Sequence, residues 1–197
     1  MFAYIEGKIS ELTPTYVVVD CNGVGYLIHI SLHTYAAIKD TEKAKILTHH
    51  IVREDAHLLH GFSSEHERKL FLHLISVSGV GANTARVMQS SMSPQELTDA
   101  ILSGNSNKIQ SVKGIGAKTA QRVIVDLRDK VAKEDWSTTI VSSEISSSTG
   151  TNKDEALSAL VMLGFNRIAA EKALQNILKI NPNLSSELMI KEALRML

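Results

Sequence analysis

The chain spells one short phrase twice, and this repeat limits the folds open to it. The stretch "SVSGVGANTARV" begins at Ser76, and "SVKGIGAKTAQRV" begins 35 residues later at Ser111. The copies share Ser, Val, Gly, Gly, Ala, Thr and Ala at matching positions. Two copies are too few for a solenoid, which needs at least about three repeats. We therefore expect two related turns that work as a pair.

Each copy predicts a phosphate-binding turn. Two glycines separated by one residue allow a tight turn with positive φ and no side chain in the way. The helix that follows has first N–H groups without internal partners, and such a backbone-lined nest suits a phosphate. The alternative is that the glycines merely connect antiparallel helices. Two copies that are followed by the same pattern of polar residues make this alternative less favourable. Backbone donors contact phosphates and not bases, so we expect sequence-independent binding.

The charge distribution supports this prediction, although the net charge is zero. A zero total argues mildly against nucleic acid, because phosphate binding usually leaves a basic footprint. Between Arg68 and Arg122, however, there are 7 Lys/Arg and 2 Asp/Glu, whereas residues 1–60 carry 5 and 7. Lys118 and Arg122 lie one helical turn apart in the second copy, so both could reach phosphates. The positive segment is the one that holds the repeat.

The periodicity predicts an α+β multidomain chain. Residues 1–63 show five strand-like runs with an Asn-Gly hairpin signal, which favours an OB-type barrel; an open sheet or meander is the alternative. Residues 64–135 change to a helical period, which predicts an all-α domain. Ser64 with Glu67 predicts a capping box, and Ser93 an N-cap followed by Pro94.

The C-terminal third predicts a linker and a small bundle. Residues 136–152 are rich in Ser and Thr without a repeating pattern, which indicates a flexible linker. Residues 153–197 contain three short amphipathic runs, which predict a three-helix bundle. Asp154 is the expected N-cap of its first helix, and Gly164 the expected stop.

Several classes of site are disfavoured. The single cysteine, Cys21, excludes an internal disulfide framework and any four-cysteine metal site. The eight histidines are scattered, and no cofactor is expected. No apolar run approaches the ~20 residues of a membrane span, and no signal peptide is visible. We expect a cytoplasmic protein.

Two enzyme classes can be tested on the second copy. The text "GAKT" echoes a nucleotide-binding P-loop, but Ala117 stands where Gly must precede Lys, and Val112 where the leading Gly belongs. Lys118 matches the nucleophile position of helix-hairpin-helix glycosylases, but Asp126 lies only eight residues on, and no second helical domain remains to form a base pocket. We predict a non-catalytic protein.

The two copies, "SGVGANTA" and "KGIGAKTA", resemble the helix-hairpin-helix motifs of DNA-repair and recombination proteins. This resemblance implies that residues 64–135 form a tandem helix-hairpin-helix domain. Longer phrases carry a more specific family resemblance. These are "GVGYLIHI", "THHIVREDAHLLHGF", the two hairpin phrases, "VIVDLRDK", "ALVMLGF" and "IKEALRML". In this order they resemble the RuvA family, the Holliday-junction recognition subunits of a branch migration machine, almost from end to end. The second phrase together with paired hairpins is far more specific than either hairpin alone.

The resemblance implies roles for particular residues. The expected DNA-binding residues are Gly79, Val80, Gly81, Ala82, Asn83 and Thr84 in the first hairpin, and Lys113, Gly114, Ile115, Gly116, Ala117, Lys118, Thr119 and Arg122 in the second. Glu54 and Asp55 would form the family's acidic pin, which repels phosphates at the crossover. On sequence alone, an acidic hairpin turn is ordinary solvated surface.

The resemblance also implies partners. These are Holliday junction DNA, the hexameric ATPase RuvB, the resolvase RuvC and other copies of the chain, in a homotetramer or an octamer on DNA. The closing helices, which are similar to ubiquitin-associated-type domains, would contact RuvB through Leu163, Phe165 and Leu194.

The chain departs from the family pattern in both hairpins. Ala82-Asn83 stands where relatives often carry Pro-Lys, and Lys113 replaces a frequent Pro. We therefore expect the phosphate grip to depend mainly on the second hairpin. A general duplex-binding module remains the alternative function, because it needs neither a tetramer nor an acidic pin.

Overall fold

The chain forms two compact units, Met1–Val141 and Ser142–Leu197. The computed structural model describes residues 2–134, 149–181 and 184–197. Most of the predicted linker, at 136–148, lies outside the described residues, and its last four residues belong to a helix.

The first unit begins with a closed five-stranded barrel. Its strands are β1 (Tyr4–Leu12), β2 (Tyr16–Cys21), β3 (Val24–Ile30), β4 (Lys43–Val52) and β5 (His57–Phe62), with α1 (Leu32–Ile38) between β3 and β4. They pair in the order β1-β2-β3-β5-β4, with β3 and β5 parallel and the other described pairs antiparallel. The OB-type barrel is therefore confirmed, and the open sheet is excluded.

Alternating β-branched residues close this barrel. Val17, Val19, Ile28 and Ile46 are all fully buried and point into one core. Because side chains alternate between the two faces of a strand, the residues between them face outward. The outward faces near the end of β5 pack on the helices that follow: Phe62 lies 4.9 Å from Phe71, ring centroid to centroid.

Five helices complete the described part of the first unit: α2 (Glu65–Ile75), α3 (Ala82–Ser91), α4 (Pro94–Leu102), α5 (Ser106–Gln110) and α6 (Ala117–Lys133). They share one apolar core, in which Leu70, Leu97 and Leu127 are fully buried. The N-cap prediction at Ser93 is confirmed: its hydroxyl accepts the N–H of Glu96 at 3.2 Å, and the Glu96 carboxylate accepts the N–H of Ser93 at 2.9 Å.

The predicted capping box at Ser64 is only half present. The Ser64 hydroxyl does accept the N–H of Glu67 at 3.2 Å, which caps α2. The Glu67 carboxylate, however, does not return to the N–H of Ser64 and instead accepts hydrogen bonds from Ser31, Thr34 and Ser63. The prediction of a reciprocal box was wrong because buried hydroxyls of the barrel side compete for this carboxylate.

One face of α3 contacts the barrel side through polar groups. Arg86 donates to the carbonyl of Thr15 at 3.2 Å, and the hydroxyl of Ser90 accepts the N–H of Leu32 at 3.1 Å. Arg86 and Ser90 lie four residues apart, so they share a helix face. The first helix-hairpin-helix unit is thus attached to the barrel.

The second unit contains α7 (Thr149–Met162), α8 (Arg167–Ile180) and α9 (Ser186–Ala193). The predicted three-helix bundle is confirmed, and Leu160, Leu174 and Met189 share its core. Asp154 lies within α7, so its predicted role as N-cap was wrong. Gly164, with φ +96°, follows the end of α7 as expected. None of the described helices is long and apolar enough to cross a membrane.

Candidate nucleic-acid interface

The two copies of the repeated phrase adopt the same backbone. We call α2, its turn and α3 the first hairpin, and α5, its turn and α6 the second. Gly79 and Gly114 have φ of +93° and +91°. The helix N-caps Gly81 and Gly116 are extended, with φ/ψ of −86°/171° and −83°/165°. The sequence repeat is therefore a structural repeat.

The hydrogen bonds of the two turns also correspond, and each pair joins equivalent residues. Within the turns, the N–H of Val80 donates to the carbonyl of Val77 at 3.0 Å, and that of Ile115 to the carbonyl of Val112 at 3.1 Å. At the helix starts, the N–H of Ala85 donates to the carbonyl of Gly81, and that of Ala120 to the carbonyl of Gly116, both at 2.9 Å. In each helix the first internal N–H is thus that of the fourth helical residue. The three N–H groups ahead of it point out of the helix end.

These two helix starts differ from the others. In six of the eight helices whose N-cap is described, a Ser or Asn side chain accepts a backbone N–H. In α3 and α6 the N-cap is glycine, and no side chain caps the helix. Their first N–H groups are therefore available to an external acceptor, and the positive end of the helix dipole favours an anion there.

The two glycines of each turn have different roles. Gly79 needs positive φ, which residues with a Cβ adopt at a cost of about 1–2 kcal/mol. Gly81 has an ordinary extended conformation, and a Cβ built on it would meet nothing within 4 Å. The fold itself does not require glycine there. The absence of a side chain instead leaves the helix start open to a close approach.

Two members of the predicted DNA-binding set face the core. Val80 and Ile115 are 4% and 6% exposed, and their N–H groups bond within the turn. The structure therefore gives them no outward donor; they anchor each turn. The apolar residue between two glycines was the sequence signal for this role.

The cations of the second hairpin line a groove. Lys118 and Arg122 are exposed on α6, and with Thr119, Gln121, Val125 and Asp126 they face Ser78 and Gly79 of the first turn. The groove encloses about 510 Å³. Sequence analysis did not single out Ser78, Gln121 or Val125, because only the pairing of the two hairpins brings them together.

The first hairpin lacks equivalent cations. Asn83 and Val87 occupy the positions that correspond to Lys118 and Arg122. Arg86 is half-buried against the barrel, within 3.3 Å of Nδ1 of His29, and desolvation lowers its pKa. Arg86 is thus committed to holding α3 in place rather than to the groove.

Glu54 and Asp55 form an exposed acidic turn between β4 and β5. The N–H of Arg53 donates to the carbonyl of Ala56 at 2.8 Å and closes this turn. Neither carboxylate belongs to an ion pair among the described residues, so both project as free negative charge. They lie outside the groove of Lys118 and Arg122.

The second unit carries its own exposed apolar patch. Leu163 and Leu194 are 61% and 45% exposed, as a binding surface requires, whereas Phe165 is half-buried and packs on the core. Met162 and Ile168, which sequence analysis missed, are 88% and 78% exposed. They flank the Gly164 turn on either side.

Two features of the described residues bear on metal binding and on a nucleophilic lysine. No group of three or more His, Cys, Asp or Glu side chains within them could hold a metal ion. Lys118 and Asp126 lie on one helix, eight residues apart, which is about 12 Å along the axis at 1.5 Å per residue. Asp126 therefore lies too far away to assist a nucleophilic lysine directly.

Comparison with known proteins identifies the family. The chain is 52% identical over the full length of both chains to the Holliday junction branch migration complex subunit RuvA of Christiangramia forsetii. It is 50% identical to that of Flavobacterium psychrophilum over 99% of each chain, and 46% identical to that of Bacteroides fragilis over all of each. The chain belongs to the RuvA family.

Three family models match successive parts of the chain, two of them within the first unit and one within the second. The RuvA N terminal domain matches residues 1–61, which cover the barrel except for Phe62 at its end, and the RuvA C-terminal domain matches residues 151–197. A SAM-like helix-hairpin-helix tandem matches residues 71–129, which include both glycine turns. The family resemblance stated from the sequence is confirmed, and so is the order of its domains.

Proposed function

We propose that this chain is the non-catalytic DNA-binding subunit of a branch migration complex. It binds four-way junctions without sequence preference, holds them open and recruits the ATPase RuvB, which supplies the work in recombination and repair. The observation that carries the proposal is the pair of equivalent, uncapped helix starts, each of which can receive a phosphate. Membership of the RuvA family supports the junction as the substrate.

The hairpins hold the arms by their phosphates. Backbone N–H groups that follow Gly81 and Gly116 meet one phosphate each, and Lys113, Lys118 and Arg122 add charge at the second hairpin. The first hairpin contributes hydrogen bonds from Asn83 and Thr84 without a cation. The grip therefore depends more on the second hairpin, and it is insensitive to base sequence.

The acidic turn shapes the crossover. Glu54 and Asp55 place two negative charges on an exposed turn of the barrel, where DNA phosphates would be repelled. In a homotetramer, four such turns surround the centre of the junction and disfavour strands that remain there. An octamer on DNA would enclose the junction from both sides.

The proposed domain limits follow these roles: 1–63 for assembly and the acidic turn, 64–135 for DNA, 136–152 as a linker and 153–197 for RuvB. The apolar patch around Gly164, with Leu163 and Leu194, offers RuvB a surface, and Phe165 supports it from below. RuvC would act on the same open junction. A cytoplasmic location suits all these partners.

Charge reversal at the acidic turn distinguishes this function from a general duplex binder. Glu54→Lys with Asp55→Lys should leave duplex affinity within about twofold or raise it, because a repulsion is removed, while unpairing at the crossover falls. Fluorescence of 2-aminopurine at the crossover measures that unpairing.

The matched control reverses two exposed acids of the loop between α1 and β4, Asp40→Lys with Glu42→Lys, and changes the net charge equally. If both double variants open the crossover like the wild type, the acidic turn has no role and the general duplex binder is favoured.

A further inference from the structure

A single buried carboxylate connects the barrel to the helices of the first unit. Glu67 is fully buried, and its carboxylate accepts four hydrogen bonds. The donors are the hydroxyl of Ser31 at 2.5 Å, the hydroxyl of Thr34 at 2.7 Å, and the N–H and hydroxyl of Ser63 at 3.0 and 3.1 Å. Ser31 and Thr34 belong to the start of α1, and Ser63 follows β5.

The donors of this cluster are all neutral. Among the described residues, no Lys or Arg pairs with Glu67. Burying a carboxylate costs several kcal/mol, and well-packed apolar residues often replace buried charges without loss of stability. Stability alone therefore gives a weak reason for a carboxylate here. The carboxylate instead fixes the orientation of the surrounding hydroxyls, because each hydroxyl has one proton and donates it to Glu67.

The same residue also holds the first hairpin. The side-chain amide of Gln89, on α3, donates to the backbone carbonyl of Glu67 at 2.7 Å, and Gln89 is 1% exposed. Glu67 thus contacts α1, the end of β5 and the second helix of the first hairpin. These three segments can shift against one another only by breaking buried hydrogen bonds, each of which is costly to leave unmade.

β5 carries this constraint to the acidic turn. Its six residues run from His57, next to the turn, to Phe62, next to Ser63. At about 3.3 Å per residue the strand is about 20 Å long, so a tilt of about 10° at Ser63 would move the turn by about 3.5 Å. That displacement is several times the range of about 0.5 Å over which donor–acceptor distances of hydrogen bonds vary.

We propose that Glu67 is a positioning residue, which fixes the acidic turn of the barrel relative to the phosphate-binding hairpins and thereby sets how well a bound four-way junction is opened at its centre. The inference rests on the proposed function. It separates two properties of the chain. Binding of the duplex arms depends on the hairpins alone, whereas opening of the crossover requires a fixed position of the barrel relative to the hairpins.

The test uses the full chain and three variants. Glu67→Gln keeps the length of the side chain but turns an NH₂ group toward the donors. Thr34→Val removes one donor and keeps the shape, in case the glutamine variant does not fold. Thr98→Val is the matched control: Thr98 is another buried hydroxyl of the same unit, bonded to Nε2 of His66 at 3.0 Å, outside the cluster.

Duplex affinity, four-way junction affinity and 2-aminopurine fluorescence at the crossover are measured for each. We expect Glu67→Gln to keep duplex affinity within about twofold and to lose about tenfold in preference for the junction, or about 1.4 kcal/mol. Crossover fluorescence should fall by about half or more. Thr34→Val should change in the same direction by less, and Thr98→Val should behave like the wild type.

Three results would overturn the inference alone: both cluster variants open the crossover like the wild type, they lose duplex and junction binding in equal proportion, or Thr98→Val reproduces their effect. A wild-type chain that does not open the crossover would instead overturn the proposed function, and this inference with it.

Discussion

At the scale of single residues, the two hairpins share a backbone but not a chemistry. Equivalent positions carry Lys118 and Asn83, and Arg122 and Val87. The neutral backbone N–H donors are present in both hairpins, whereas the positive side chains at these positions are found only on α6. A lysine near a phosphate releases counterions when DNA binds, so each such contact adds about 0.9 to the slope of log affinity against log salt.

Lys118→Ala should therefore weaken binding equally for all sequences and lower that slope by about one. Titrations of one junction at several salt concentrations measure it, and Asn83→Ala, at the equivalent position, should leave the slope unchanged. A loss confined to particular base sequences would contradict binding through phosphates.

His60 predicts a pH dependence of stability. It is 2% exposed, packs 5.1 Å from Phe71, and desolvation, followed by the neighbouring His29 and Arg86, lowers its pKa to about 4. As pH falls below about 6.5, His60 binds a proton in the unfolded chain but stays neutral in the folded chain. The contribution of His60 to the free energy of unfolding is therefore fully present above pH 6.5 and is lost as pH falls toward 4.

The loss from His60 should reach at most about 3.4 kcal/mol in the free energy of unfolding, and about 2.5 kcal/mol by pH 4.5. Urea unfolding at pH 7 and pH 4.5 measures it, with His60→Phe as the comparison because a phenyl ring cannot titrate. Equal pH dependence in the two proteins would show that burial does not hold His60 neutral.

At the scale of elements, the two glycines of the turn before α3 have separate roles, one in the stability of the fold and the other in DNA binding. Gly79 has the conformation that needs glycine, and Gly81 has the open space in front of the helix N–H groups. Gly79→Ala should cost about 1–2 kcal/mol of stability through strain.

Gly81→Ala should cost less than about 1 kcal/mol, because alanine is only a poorer N-cap there, and yet weaken DNA binding about tenfold by placing a methyl group before the donors. Thermal unfolding and a junction titration separate the two effects. Unchanged affinity in Gly81→Ala would mean that no phosphate approaches this helix start.

Much of this element structure follows from local pattern. Alternating Val and Ile define the barrel strands, and the repeated phrase defines both turns, because backbone conformation there depends on neighbouring residues. The sequence of Ser64 and Glu67 also fits a capping box, but Glu67 bonds to Ser31 and Thr34, more than 30 residues away. Arg86 likewise bonds to the carbonyl of Thr15, 71 residues away in the chain. Competition from distant partners is what local pattern cannot reveal.

At the scale of the whole molecule, a segment that would attract DNA phosphates and a segment that would repel them lie in the same compact unit. The segment from Arg68 to Arg122 has an excess of five positive charges, and residues 1–60 have an excess of two negative charges. A general duplex binder gains nothing from the acidic surface, since it only weakens the field. A junction-opening protein uses both, because arms are held while the centre is kept clear of phosphates.

The most direct test is a binding titration at near-physiological salt that compares a synthetic four-way junction with linear duplex of the same total sequence. We predict a preference for the junction of about 100-fold, or about 2.7 kcal/mol. Equal affinities would contradict the account: the hairpins would remain phosphate binders, but the chain would not recognise a branched junction.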